Sequence, residues 1–285
     1  MNDFIVHYFF IKMQLQKIVY TEDNLQLTNR AFLFGDAVWV SFFIKDGKLI
    51  MGEESYFFLM ASMRKMRMNI PLSYTLEYFQ DLFQNHVLDK GVKNAIIQFM
   101  AYRKQDGNNL QKSEISYYFE VDEVADVIDI QGNIELDLIK EINVNSNLLS
   151  NIRVHSSENI YASIYAKEND LDDVILQNPN KKIARSIFGN LLFLQGDVIK
   201  IPKQSEGAYI SPLMENFVTF VHRNKLAEIE EAEIIAFESQ KADEILRISD
   251  EKGVHSVTKI RNKTFGNERF SEMVKQWKAS FETIV

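Results

Sequence analysis

The chain has 285 residues, enough for two compact domains with ample core. Its net charge of -8 argues against nucleic acid or an anionic membrane as the main partner. It has no cysteine, which excludes disulfides, thiol nucleophiles and thiolate metal sites, and its five scattered histidines give no reason to expect a zinc centre.

Phe4 to Met13 is apolar, but His7 and Lys12 interrupt it and no small-residue cleavage site follows. It reads as a first β-strand rather than a signal sequence. No later stretch approaches the length of a membrane span, and a cytoplasmic address fits best. Phe32–Ile44 and Lys48–Met51 read as strands joined at Asp46-Gly47, a strong hairpin signal. Helices are predicted over Glu53–Met68, where Tyr56, Leu59, Met60, Met63 and Met66 recur at helical spacing, and over Ser73–Asp89. Asn94–Arg103 and Glu114–Val121 are strand-like, and the acidic stretch Asp122–Asn133 is where a domain boundary is expected.

The second half opens with a predicted strand, Leu136–Val144, then a helix over Ser157–Asn169 with Ser156 or Ser157 as its N-cap. Strands are expected at Asp173–Gln177, Phe188–Leu194 and Val198–Ile201, the last two joined through Gln195-Gly196-Asp197. A helix over Pro212–Asn224, strands at Glu231–Phe237 and Glu244–Ser249, and a terminal helix over Ser271–Thr283 complete the reading. The pattern is α+β with antiparallel pairings.

Several of these pieces, in this order, resemble the class IV aminotransferase family, the fold type IV pyridoxal-phosphate (PLP) enzymes. The resemblance is carried by Asn29 to Val38, by Asp46-Gly47-Lys48-Leu49 with Glu54 to Ser62, and by Tyr165 to Asn169 with Leu171 to Leu176. Gly189-Asn190-Leu191, Gly207 to Val218 and Ala242-Asp243-Glu244-Ile245 continue it. It implies the D-amino-acid aminotransferase-like fold: a small N-terminal α+β domain, 1–124, a larger C-terminal pseudo-barrel domain, 125–285, a cofactor cleft between them and a homodimer. Branched-chain and D-amino-acid aminotransferases and 4-amino-4-deoxychorismate lyase are members.

The family's chemistry needs a lysine amine just before the helix that begins near Ser157. The local sequence, Leu149 to Glu158, contains none. Arg153 is the occupant favoured by the preceding Leu-Ser-Asn-Ile, with His155 or Ser156 as alternatives, and none of these supplies the amine. Arg185 stands where the family carries a glutamate that pairs with the pyridine nitrogen. Reversing a unit charge at about 4 Å is worth several kcal/mol at an intermediate dielectric. Phe58 takes the place of a phosphate-binding arginine, Glu215 that of another arginine, and Ser249 lies in the altered stretch Ile248-Ser249-Asp250-Glu251 that otherwise supplies phosphate contacts. Asn190 alone keeps its family identity.

The expectation is therefore a class IV aminotransferase-like protein that has lost the Schiff-base lysine and the main PLP contacts. PLP, implied by the resemblance, is expected to be absent or weakly bound, and the protein to bind another, anionic ligand or to act as a partner subunit. No metal, nucleic acid or membrane is expected. The competing reading is an active PLP-dependent aminotransferase or lyase with relocated residues, for which Lys140, Lys167 and Lys259 are the nearest lysines by segment. Lys167 lies about three helical turns on, roughly 15 Å from the expected place. A third reading makes Arg153, His155, Glu158 and Arg185 a new centre, with His155 and Glu158 as an acid–base pair.

Overall fold

A computed structural model describes residues 18–21, 28–104 and 113–282. The strand expected over Phe4–Met13 lies outside the described residues. The first half is an antiparallel sheet of five strands in the order β1-β5-β4-β2-β3. These are β1 (Ile18–Thr21), β2 (Ala37–Lys45), β3 (Lys48–Ile50), β4 (Ala95–Arg103) and β5 (Ile115–Glu123). Asp46 and Gly47 join β2 to β3 with positive φ at both, as a tight hairpin of this hand requires.

One face of this sheet is covered by α2 (Gly52–Lys65) and α3 (Leu76–His86). Phe42, Phe79, Phe83, Phe99 and Phe119 meet there in tilted, edge-on and stacked pairs, Phe42 and Phe83 at 4.7 Å between centroids. Each such pair adds about 0.5–1.5 kcal/mol beyond the area it buries. The strand predicted from Phe32 begins only at Ala37, because Arg30–Phe34 is the short helix α1. Asn29 caps it by accepting from Ala31 N, and Gly35 ends it in the left-handed region. Local caps here outweigh the β-propensity of the phenylalanines.

The second half is a nine-stranded mixed sheet. Its strands are β6 (Ile130–Asn143), β7 (Asp173–Gln177), β8 (Ile183–Ser186), β9 (Asn190–Gln195), β10 (Val198–Pro202), β11 (Glu228–Ala232), β12 (Glu244–Ser249), β13 (Gly253–Ile260) and β14 (Lys263–Thr264). Parallel pairings β10–β11, β13–β6 and β6–β7 interrupt the antiparallel ones. The sheet curls until its far edges meet: Ile183 N at β8 donates to Ile234 O beyond β11 at 2.7 Å. The expected pseudo-barrel is thus present. Four helices accompany the sheet: α4 (Ser157–Glu168), α5 (Pro212–Arg223), α6 (Ala236–Ser239) and α7 (Glu268–Glu282). The strand predicted over Glu231–Phe237 is a correction: β11 ends at Ala232, and Ala236–Ser239 is helical, with Glu238 closing back on the Ile235 N–H. Strands β8 and β13 were not anticipated as elements, and β6 starts earlier than predicted.

The two sheets share a core. Phe43 and Ile96, neighbours across β2 and β4, turn away from the first core and pack with Leu192, Leu246, Phe217 and Trp277 in the second. Lys45 on β2 reaches Asp126 at 3.2 Å, and Lys278 on α7 reaches the same carboxylate at 3.0 Å. Gly189 ends the tight turn between β8 and β9, where its N–H meets the Ser186 hydroxyl oxygen at 3.1 Å. An added Cβ there would lie 2.2 Å from the Ile248 carbonyl oxygen, a backbone atom of β12 that has no freedom to retreat. Gly189→Ala is therefore expected to cost about 1–3 kcal/mol. The readout is a lower urea midpoint at unchanged m-value.

Candidate functional site

Strand alternation divides the first sheet's residues between core and cleft. Val38, Val40, Phe42, Phe99, Phe119 and Val121 point into the first core. Trp39, Gln98, Glu120 and Asp122 instead line a cavity of about 360 Å³. Its opposite wall is Arg153, Val154, Asn159, Tyr209, Glu251 and Lys252. Two bonds pin the walls together: Trp39 N donates to Arg153 O at 2.9 Å, and Gln98 Nε2 donates to Glu251 O at 3.1 Å.

Tyr209 organises the far wall. Asn190 Nδ2 donates to its carbonyl at 2.8 Å, and its N–H donates back to Asn190 Oδ1 at 2.9 Å. Asn159 Nδ2 donates to its hydroxyl oxygen at 2.9 Å. Both arginines singled out in the sequence come to this ring, Arg185 at 4.2 Å and Arg153 at 4.8 Å from guanidinium carbon to centroid. Each distance is within the range of a cation–π contact.

The two arginines differ in how their charge is met. Arg153 Nη1 pairs with Glu251 Oε2 at 2.7 Å, and its Nη2 donates to the Phe188 carbonyl. Arg185 is 4% exposed. Its Nη1 donates to Asn159 Oδ1 at 2.9 Å and to Ser186 O at 3.3 Å, while Nε is buried without an acceptor. Among the described residues no carboxylate forms an ion pair with it. Burial pushes its pKa down, and the positive charge of Arg153 acts in the same direction. Arg185 also lines a second cavity, of about 190 Å³, with Tyr209, His155, Ser156 and Glu158.

The other predicted positions separate into two groups. Asn190 and Ser249 are buried at the site: Ser249 Oγ donates to Phe188 O at 2.7 Å and accepts from the N–H groups of Glu251 and Lys252. Phe58 and Glu215 do not join them. Phe58 packs inside the first core, and Glu215 points outward from the first turn of α5, its pKa raised by partial desolvation of the carboxyl and by Glu231. Ser156 caps α4 by accepting from Asn159 N at 3.2 Å. His155 lies against Gly35, at the end of α1, and no hydrogen bond joins it to Glu158 among the described residues. Glu158 accepts from the Ser156 and Ser157 hydroxyls instead. Burial raises its pKa, but these bonds and the Arg185 charge prevail and hold it below the usual range. The acid–base pair weighed for His155 and Glu158 is not formed. Lys140 and Lys167 are exposed away from both cavities, and Lys259 pairs with Glu135 at 2.8 Å. Lys252, not among the lysines weighed, does line the larger cavity, with Nζ 3.2 Å from Glu251. No group of His, Asp or Glu suited to a metal ion occurs among the described residues, and no helix there is long and apolar enough to cross a membrane.

The sequence singles out neither Tyr209 nor a role for Asp250, which it gives only as part of the altered, more acidic stretch Ile248-Ser249-Asp250-Glu251. Asp250 closes the N-terminus of α5: its Oδ1 accepts from Ser211 Oγ at 2.6 Å and from Leu213 N at 3.3 Å, and Ser211 Oγ accepts from Met214 N at 3.1 Å. Negative charge stands at that helix end from Asp250, in the turn after β12, while the Glu215 side chain faces outward. Burial pushes the Asp250 carboxyl up to about 6. Behind the site, Asp173 and Arg247 form a buried pair at 3.0 Å; Asp173 Oδ1 accepts from Ile187 N and so holds the loop that carries Phe188. Arg247 Nη2 lies 2.8 Å from His255 Nδ1, so that nitrogen accepts and the ring is neutral. Burial pushes the His255 pKa down to about 4, with the Arg247 charge helping.

Asp250 and His255 load stability in opposite directions across acid pH. A carboxyl raised from 3.8 to about 6 binds its proton more tightly in the fold, so its contribution is whole below pH 4 and is lost as pH rises through 6. A histidine lowered from 6.5 to about 4 contributes fully above pH 6.5 and loses that as pH falls. The two offset each other in the wild-type protein. Asp250→Asn is expected to give stability that climbs from pH 4 to 6.5, and His255→Gln stability that declines over the same window. Urea midpoints measured across that range test both slopes.

A family model for class IV aminotransferases matches residues 41–260. No curated protein matches the sequence. Among solved structures, the branched-chain aminotransferase of Thermoproteus uzoniensis, determined with norvaline, superposes with a TM-score of 0.81 at 14% identity, covering 92% of this chain and 93% of that one. A putative 4-amino-4-deoxychorismate lyase of Legionella pneumophila gives 0.79 at 15% identity, over 90% and 95%. The branched-chain amino acid aminotransferase of Escherichia coli gives 0.80 at 12%, over 94% of both chains. Identities this low speak for the fold, and the family match covers most of the sequence: the chain belongs to the class IV aminotransferase family.

Proposed function

We propose that this family member does not run PLP chemistry and uses its cleft to bind a different small anionic ligand, acting as a binding protein or partner subunit. Asp250 carries this reading. A helix N-terminus attracts phosphate because its N–H groups are unpaired and its dipole is positive there. At α5 both features are already met by a carboxylate of the same chain. A phosphate would have to displace a buried acid that is bonded to Ser211 and Leu213.

Arg185 supports the same reading, because it would repel a protonated pyridine nitrogen. Arg153, His155 and Ser156 supply no amine. Residues 1–124 and 125–285 are read as two domains with the cleft between them. A cytoplasmic homodimer is part of the proposal, supported by the exposed Phe32, Leu33 and Phe34 of α1 and Ile160, Tyr161 and Ile164 of α4. Gly35 and His155 bring the end of α1 against the start of α4, so these apolar side chains belong to one region of the surface.

One observation favours the competing reading, an active PLP-dependent aminotransferase or lyase: Lys252 presents an amine to the larger cavity. A single experiment separates them. The purified protein is titrated with PLP, followed by visible absorbance, then treated with borohydride and weighed by intact mass spectrometry. No new absorbance band and no added pyridoxyl mass are expected. A stoichiometric band with a pyridoxyl group trapped on Lys252 would establish the competing reading instead.

A further inference from the structure

The three buried arginines of the described residues are Arg103, Arg185 and Arg247. Arg103 is bonded to Asp36, and Arg247 lies 3.0 Å from Asp173. Even the half-buried Arg153 has Glu251 at 2.7 Å. Arg185 alone among these four lacks a carboxylate partner within ion-pairing distance. A buried guanidinium cannot shed its proton at working pH, so the missing countercharge must come from elsewhere or the fold carries the cost of an unpaired ion.

We infer that the smaller cavity is a monoanion site in which Arg185 binds the carboxylate of a short organic acid, an assignment that rests on the PLP-free reading above. Nη1 is already committed to Asn159 and to the Ser186 carbonyl, and Nε, like that of Arg103 and Arg247, is buried without an acceptor, so a ligand in the cavity meets Nη2. Tyr209 lies against the face of the guanidinium, so the ligand approaches edge-on, in the plane that suits a carboxylate. The cavity holds about 190 Å³, below the usual range for drug-sized ligands, so the acid is small.

Charge balance selects a single negative charge. Arg153 is neutralised by Glu251, so Arg185 supplies the one guanidinium at this wall without an ion pair. Glu158 borders the same cavity and repels any anion, a dianion about twice as strongly as a monocarboxylate. A phosphate dianion is therefore disfavoured relative to a carboxylate. His155, also on the lining, borders the space left for the acid's other end.

Isothermal titration calorimetry of the full-length protein with propionate at neutral pH tests this. The wild-type protein is expected to bind propionate saturably. Arg185→Gln should weaken binding by at least about tenfold, the loss of one charge-assisted bond, while Lys140→Gln, a charge removed far from the cavity, should not. Inorganic phosphate should fail to compete. Absence of saturable binding to the wild-type protein, unchanged affinity in Arg185→Gln, or competition by phosphate at equal strength would each overturn the assignment. If circular dichroism shows that Arg185→Gln does not fold, His155→Trp serves instead: it crowds the cavity while sparing Arg185, and retained binding would count against the site. The PLP titration is run on the same preparation. A PLP band there defeats the functional reading, whereas no band and no propionate binding defeats this inference alone.

Discussion

Two guanidinium groups lie over one tyrosine ring, and the arrangement of the cleft follows from making that juxtaposition tolerable. Like charges so close repel strongly in a medium of low dielectric. The protein answers with the electron-rich Tyr209 ring against both and with Glu251 on one of the two. Tyr209 can serve because Asn190 holds its backbone through both amide groups. Asn190 keeps its place in the family motif, yet here its visible work is to fix a ring rather than to meet a cofactor.

The turn between β12 and β13 gathers the remaining threads. Ser249 anchors the Phe188 carbonyl, Asp250 closes α5 and Glu251 neutralises Arg153. Each of these residues engages a different element, so consecutive side chains link the loop after β8, the start of α5 and the segment before α4. The buried Asp173–Arg247 pair supports the same loop from behind, through Ile187. A turn bonded in this way is a structural part of the wall, with little freedom to rearrange around a phosphate.

Much of the fold was legible because local signals agreed with tertiary ones. The Asp46-Gly47 hairpin, the helix capped by Ser156 and the strand–turn–strand around Gly196 all declare themselves within a few residues. Phe32–Phe34 misled because an aromatic run scores as strand while the caps that decide the matter, Asn29 and Gly35, lie outside it. At the site, the motif frame located Arg153, Arg185, Asn190 and Ser249 near one another. Phe58 packs in the first core and Glu215 faces outward, directions set by helix rotation, which no motif encodes. The partners of Tyr209 and Asp250 are hidden for a different reason: Asp250 meets Ser211 across 39 residues, and Tyr209, in the loop before α5, meets Arg185 on β8.

Phe43 and Ile96 leave the first sheet to be buried among the side chains of the second. A hinge between the two halves would have to pull both out of that core, exposing apolar surface at about 25 cal/mol per Å². The cleft between the two halves is thus walled by elements that share a core, and opening it as a hinge carries that cost.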